Sequence, residues 1–149
     1  HEIELVFAIA RRNGQAIADR VTIGLDLTAR DVQQELKAKG LPWEKAKAFD
    51  GSAYVAEAFT AVESFPAGHH IEFLLKKNGQ VAQSGHSGQM IFDVPSLIAH
   101  VERYMRLETG DLLFTGTPAG VGPLKGGDKL EGYMLGELLF ELQVEGPTP

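Results

Sequence analysis

Residues 2–10 read Glu-Ile-Glu-Leu-Val-Phe-Ala-Ile-Ala. Acidic and apolar side chains alternate at first, and then every residue is apolar. Strand side chains repeat every two residues, so the pattern predicts a strand with Glu2 and Glu4 on one face. Val21 to Leu27 is a second β-rich run. From Thr28 the spacing changes. Thr28 with Asp31 three residues on resembles a helix N-cap signal. Val32 and Leu36 supply an apolar stripe, and Gly40, Leu41 and Pro42 end the helix.

Residues 41–70 are loop-rich. Ile71–Leu75 and Val81–Gln83 flank Asn78-Gly79, a strong hairpin dipeptide. Met90–Phe92 is a short apolar run. Asp93 is placed to cap a helix from about Pro95 to Arg106, with Leu97, Ile98, Val101, Tyr104 and Met105 on one face. Asp111–Thr115, Lys129–Met134 and Glu137–Val144 read as three more strands. The sequence therefore predicts a strand-dominated α+β fold with two short helices. No internal repeat or composition break divides it, so one domain over 1–149 is expected.

The composition narrows the function. At 149 residues the chain has the length of one ordinary domain. No apolar run approaches the ~18 residues of a membrane span, so no membrane partner is expected. Fourteen Lys+Arg against twenty Asp+Glu give a net charge of −6, which argues against a nucleic-acid partner. The absence of cysteine excludes disulfides, thiolate metal sites and a Cys nucleophile. It fits a reducing compartment, and the cytoplasm is the expected location. The first residue is His1, so the sequence reads as a piece of a longer chain.

Glu2, Glu4 and Asp26 are the most informative residues. Two glutamates at i and i+2 on a strand aim at one point, and burying both is costly unless a cation neutralises them. Asp26 follows an apolar run and precedes a helix, a junction that holds a side chain firmly. Three oxygen donors suit a hard ion: Mg²⁺, or Mn²⁺ or Ca²⁺. Spacing alone favours the plainer alternative, an exposed strand face with solvated glutamates and Asp26 as a turn residue.

Arg30 and Gln33 are three apart and share a helix face. Arg offers a rigid fork for a carboxylate, and Gln donates and accepts beside it. Lys47 lies in Trp43-Glu-Lys-Ala-Lys-Ala-Phe-Asp50. Partial burial near a metal is expected to push it toward the neutral form. Read as ordinary surface residues, Arg30 and Lys47 are simply solvated charges. The loop Gly116-Thr-Pro-Ala-Gly-Val-Gly122 lacks the Lys-Ser/Thr of a nucleotide P-loop, and Thr117 is its one side chain able to bond a substrate. His86 and Ser87 are adjacent, poor geometry for a nucleophile–base pair.

These segments together resemble a known family. His1–Leu5, Gly24–Gln33, Gly40–Phe49 and Gly110–Gly122 are similar to the motifs of the fumarylacetoacetate hydrolase family, in the family's order and across almost the entire chain. The Gly-Leu-Pro-Trp segment is closest to the acylpyruvase and oxaloacetate-decarboxylase-like branch. The resemblance implies a mixed β-sandwich or roll that forms a homodimer. It implies a Mg²⁺ or Mn²⁺ site held by Glu2, Glu4 and Asp26, with Arg30, Gln33, Lys47 and Thr117 contacting a small keto-acid substrate and Lys47 acting in catalysis. Two departures stand out. The family has a longer helical stretch where only Arg11–Arg20 lies here, so a segment between about 11 and 21 is expected to be missing. The family's lid, with a His–Glu pair that activates water, is not matched by any histidine here, so no general base is assigned.

The implied chemistry is metal-assisted C–C cleavage through an enolate. Hydrolysis of acylpyruvates ranks first. Decarboxylation of oxaloacetate and isomerisation or decarboxylation of dienoates use the same enolate. A non-catalytic ligand-binding or association domain is the rival of another class, and the carboxylate cluster argues against it.

Overall fold

A computed structural model describes residues 1–146 of the chain. Strand β1 (Ile3–Arg12) and strand β2 (Gln15–Asp26) form a long antiparallel hairpin. Sequence analysis ends the first strand at Ala10 and opens the second at Val21. The structure joins them instead through a two-residue turn at Asn13 (φ 52°) and Gly14 (φ 83°). Both angles lie in the left-handed region that Asn and Gly adopt most readily, which is the chemistry of a tight hairpin turn. Arg11–Arg20 is thus the distal end of the hairpin, with Arg12 opposite Gln15 and Ala8 opposite Arg20.

Helix α1 (Arg30–Ala38) and the single turn α2 (Glu44–Lys47) follow, then β3 (Ala53–Val55) and β4 (Thr60–Ala61). Three of these four elements lie within the stretch read as loop. They are two to four residues long, too short for any periodicity to show. The α1 start also differs from expectation. Ala29 is the N-cap and makes no side-chain cap bond, while the Thr28 hydroxyl donates to the Asp26 carbonyl.

The second half begins with β5 (Glu72–Lys77) and β6 (Gln80–His86), paired about Asn78 (φ 53°) and Gly79 (φ 78°) as the dipeptide predicts. Helix α3 (Val94–Val101) is capped by the Asp93 carboxylate, which accepts from the Ser96 amide at 2.8 Å. It ends well before Arg106, so Tyr104 and Met105 lie beyond it and are exposed. Strands β7 (Leu112–Phe114), β8 (Lys129–Met134) and β9 (Glu137–Gln143) complete the fold.

The strands form two sheets. One runs β3-β2-β1-β7, with β4 also on β2; the other runs β6-β5-β8-β9. The architecture is strand-dominated α+β, as expected, with three α-helices rather than two among the described residues and every strand pair there antiparallel. Ile3, Leu5 and Phe7 from β1, with Val21, Ile23 and Leu25 from β2, face Phe73, Leu75, Leu130, Met134 and Phe140 of the other sheet in the main core. Period-two alternation then sends Glu2, Glu4, Val6, Thr22 and Gly24 to the opposite face. Val6 and Thr22 are fully buried there too. β1 is therefore covered on both faces, and this is what places two carboxylates inside the protein.

Candidate metal centre

Glu4 lies directly opposite Gly24 in the β1–β2 ladder, and the Asp26 amide donates to the Glu2 carbonyl at 2.9 Å. Residues opposite each other in an antiparallel pair share a face. Glu2, Glu4 and Asp26 therefore converge. One carboxylate oxygen from each lies within 4.8 Å of the others, the one such grouping of acidic or histidine side chains among the described residues. Gly24 lets its neighbours close in beside the cluster: a Cβ there would meet the Tyr54 carbonyl at 2.5 Å and the Val6 and Phe114 side chains at 2.8 and 3.0 Å.

Both glutamates are deeply buried: Glu2 is 8% exposed and Glu4 is 4% exposed. Their surroundings differ. The Glu2 carboxylate accepts from Arg30 at 2.6 Å and from the Lys47 ammonium at 2.7 Å. Burial alone would raise its pKa, but these two donors outweigh burial and hold it below the ordinary carboxylate range. Glu4 accepts a single bond, from the Gly116 amide at 2.7 Å. Burial raises its pKa to about 7; the Gly116 amide opposes the rise, and the charges of Asp26 and Glu2 add to it. Three converging carboxylates, one of them driven toward protonation chiefly by burial, fit a hard cation, which would supply the missing positive charge to oxygen donors suited to it.

Lys47 is the hub of the site. Its ammonium donates to Asp26 at 2.5 Å, to Glu2 at 2.7 Å and to the Thr28 hydroxyl at 2.8 Å. The sequence-based expectation for Lys47 is corrected here. Burial does press its pKa down, but the hydrogen bonds and charges of Asp26 and Glu2 more than offset this, and the pKa lies above the ordinary lysine value. The group is a firmly held cation, not a neutral amine. Arg30 donates to Glu2 and to the side-chain amide oxygen of Gln33, the latter at 2.7 Å, so the residues expected to share a helix face also touch.

Thr117 serves the scaffold of the site. Its hydroxyl donates to the Ile3 carbonyl at 2.7 Å and accepts from the Gln83 amide at 2.8 Å. Thr115 donates to the Leu5 carbonyl at 2.9 Å, so the loop after β7 is buttoned along β1 and brings the Gly116 amide to Glu4. Sequence analysis missed Gln83. It is 2% exposed and also bonds the Ile3 amide, the His1 ring and the Pro118 carbonyl. The turn at Asn78-Gly79 gives no signal for it: unbroken pairing would set Gln83 opposite Leu74, and a bulge between Leu75 and Lys76 moves it opposite the fully buried Leu75. Thr28, read as a cap, was missed as a partner of Lys47. His86 and Ser87 form no pair. The Ser87 hydroxyl accepts from the Ile71 amide, and the His86 ring lies 5.3 Å from that of His70.

Residues 1–143 match the family model described as fumarylacetoacetate (FAA) hydrolase C-terminal. The chain is 42% identical to the mitochondrial oxaloacetate tautomerase FAHD1 of Bos taurus, over 99% of this chain and 69% of that protein. It is 40% identical to the oxaloacetate tautomerase YcgM of Escherichia coli, over 87% of this chain and 63% of that protein. The fold superimposes with a TM-score of 0.85 on fumarylpyruvate hydrolase from Pseudomonas aeruginosa in complex with Mn²⁺ and pyruvate. That pair is 32% identical, over 98% of this chain and 65% of the other.

Proposed function

This chain belongs to the fumarylacetoacetate hydrolase family, and from that premise we propose that it is a divalent-metal-dependent enzyme acting on small 2-keto acids through their enol or enolate form. Its relatives are enzymes of that family, two of them named for oxaloacetate tautomerisation and one for fumarylpyruvate hydrolysis. The observation that carries the reading is the convergence of Glu2, Glu4 and Asp26 beside Lys47 and Arg30.

Glu2, Glu4 and Asp26 would hold Mg²⁺ or Mn²⁺, and the bound ion would supply Lewis-acid stabilisation of negative charge on substrate oxygens. The chain's own residues do the rest. The Arg30 guanidinium and the Gln33 amide orient a substrate carboxylate. The Lys47 ammonium, kept protonated, adds positive charge beside the developing enolate and holds a proton at its Nζ. The Thr117 hydroxyl, whose proton goes to Ile3, offers an acceptor at the loop.

Keto–enol interconversion and decarboxylation of oxaloacetate, and C–C hydrolysis of acylpyruvates, share this enolate. The tautomerases among the relatives favour oxaloacetate as the first substrate to try. The Pseudomonas structure with Mn²⁺ and pyruvate favours acylpyruvate hydrolysis as the second reading. Exposed Ile91 and Phe92 support a homodimer as the working form. The cytoplasm is kept as the proposed compartment of this chain, while the mammalian relatives are named as mitochondrial.

The test is chelation. Protein stripped with EDTA is given oxaloacetate or acetylpyruvate, and enol absorbance and pyruvate release are followed before and after Mg²⁺ or Mn²⁺. Restored turnover in the parent and none in Asp26→Ala is the expected result. Full activity after stripping would falsify the metal assignment.

A further inference from the structure

The segment from Leu27 to Phe49 carries Arg30, Gln33 and Lys47 but is weakly packed. Helix α1 contributes no buried residue, and α2 contributes Ala46 alone. Leu41, Trp43 and Phe49 are all more than 40% exposed. Backbone bonds from Ala29 to Ala46 and from Leu27 to Ser52 tie the segment's ends. Leu27 packs on the core at the segment's start, and the side chains farther along reach the sheet through ion pairs: Arg30 to Glu2, and Lys47 to Glu2 and Asp26.

An ammonium has three protons and no acceptor. Lys47 places one on Glu2, one on Asp26 and one on Thr28. Two of the three carboxylates that would hold a cation are thus already engaged by a cation of the chain. A divalent ion on the same oxygens would sit within a few ångströms of the ammonium, and like charges sharing acceptors repel.

We infer that Lys47 is an internal competitor for the metal site: loading the ion releases Lys47 from Glu2 and Asp26, loosens the Leu27–Phe49 segment to what Arg30 and its backbone ties still hold, and frees the ammonium to meet the substrate. This rests on the metal-site reading above. The order of events follows from it. Metal binding loosens the segment, and an anionic substrate bridging the ion, Arg30 and Lys47 draws it back. The carboxylates are thus switched from anchoring the segment to anchoring the ion, and the same lysine that keeps the metal-free site neutralised is delivered to the reaction only after loading.

The test uses Mg²⁺ alone with the full chain. Calorimetric titration of the chelator-stripped parent is compared with Lys47→Met and Lys47→Arg. Removing the competitor should tighten Mg²⁺ binding about tenfold, whereas Lys47→Arg, which keeps the charge, should bind no more tightly than the parent. Trp43 is the chain's one tryptophan and lies four residues from Lys47. Mg²⁺ should shift its emission in the parent and leave it unchanged in Lys47→Met. Hydrogen exchange on the parent alone is a measurement that needs no variant to fold: Mg²⁺ should speed exchange across 27–49, and oxaloacetate should slow it again. Equal or weaker binding by Lys47→Met, equal emission shifts, or slower exchange with Mg²⁺ each overturn the inference. If the parent binds Mg²⁺ through Asp26 but Lys47→Met is no tighter, the competition alone is wrong. If neither binds Mg²⁺, the metal-site reading falls and takes this one with it.

Discussion

Glu4 is the residue whose protonation state should govern metal loading. Its pKa is pushed up to about 7, first by burial and then by the neighbouring carboxylates. A carboxylate ligand must lose its proton to bind a cation, so below pH 7 each unit of pH should weaken Mg²⁺ affinity about tenfold through this one group. Affinity should level off above about pH 8. The sign for folding is opposite. A carboxyl whose pKa is raised in the folded state binds more protons there than in the unfolded chain, so the Glu4 contribution to metal-free stability falls as pH climbs from its ordinary value toward 7. Glu2, held below the ordinary range by Lys47 and Arg30, contributes stability that is present above the ordinary carboxylate pKa and is lost as pH falls from there through its depressed value. Calorimetric Mg²⁺ titrations at pH 5.5, 6.5, 7.5 and 8.5 check the first point. A flat series would show that Glu4 does not gate the ion, and Glu4→Gln should remove both the affinity and its pH dependence. Strand parity, a local rule, put Glu2 and Glu4 on one face, but spacing alone favoured a solvated face, and only the family resemblance joined Asp26 to them. The protonation of Lys47 was not legible, because it depends on partners 21 and 45 residues away in the chain.

At the level of elements, the site is held by joints between strands. Gln83 on β6 ties the start of β1 to the loop after β7, bonding the Ile3 amide, the Thr117 hydroxyl and the Pro118 carbonyl. Gln83→Leu keeps the volume and removes every one of these bonds. Leaving buried polar groups unpaired should cost about 2 kcal/mol or more, read as a lower urea midpoint with an unchanged slope. It should also loosen the Gly116 amide from Glu4. A stability change within a few tenths of a kcal/mol would show that these groups find other partners. The same joints explain what the sequence concealed. Asn78-Gly79 is flanked by apolar strands and reads as a hairpin at once. Asn13-Gly14 is the same dipeptide, adopts the same backbone angles and turns the longest hairpin in the molecule. Its flanks, Arg11, Arg12 and Gln15 with apolar residues beyond, match the Lys76, Lys77 and Gln80 around Asn78-Gly79, so the same hairpin signal stands in the sequence at both places. β3 and β4 are stabilised by pairing with β2 rather than by any pattern of their own. Only the assembled sheet makes them strands.

For the whole molecule, the ion is a cross-link that exists only in the folded state. Glu2 and Glu4 lie on one strand and Asp26 at the far end of the next, joined only through the complete hairpin. An unfolded chain does not hold these oxygens together, so a bound cation should stabilise the fold by the full linkage term. At a Mg²⁺ concentration of 100 times Kd this is about 2.7 kcal/mol, a rise in melting temperature of roughly 5–10 °C for a domain of this length. The net charge of −6 adds a complication, because any salt screens the self-repulsion of an acidic protein. The melting curves therefore need NaCl at matched ionic strength, and Asp26→Asn as the second arm. Specific binding predicts a rise with Mg²⁺ above the NaCl control in the parent and none in Asp26→Asn. Screening predicts the same small rise in both proteins with either salt. An equal response would mean that Glu2, Glu4 and Asp26 meet without holding an ion, leaving Lys47 and Arg30 as the only charges that neutralise them.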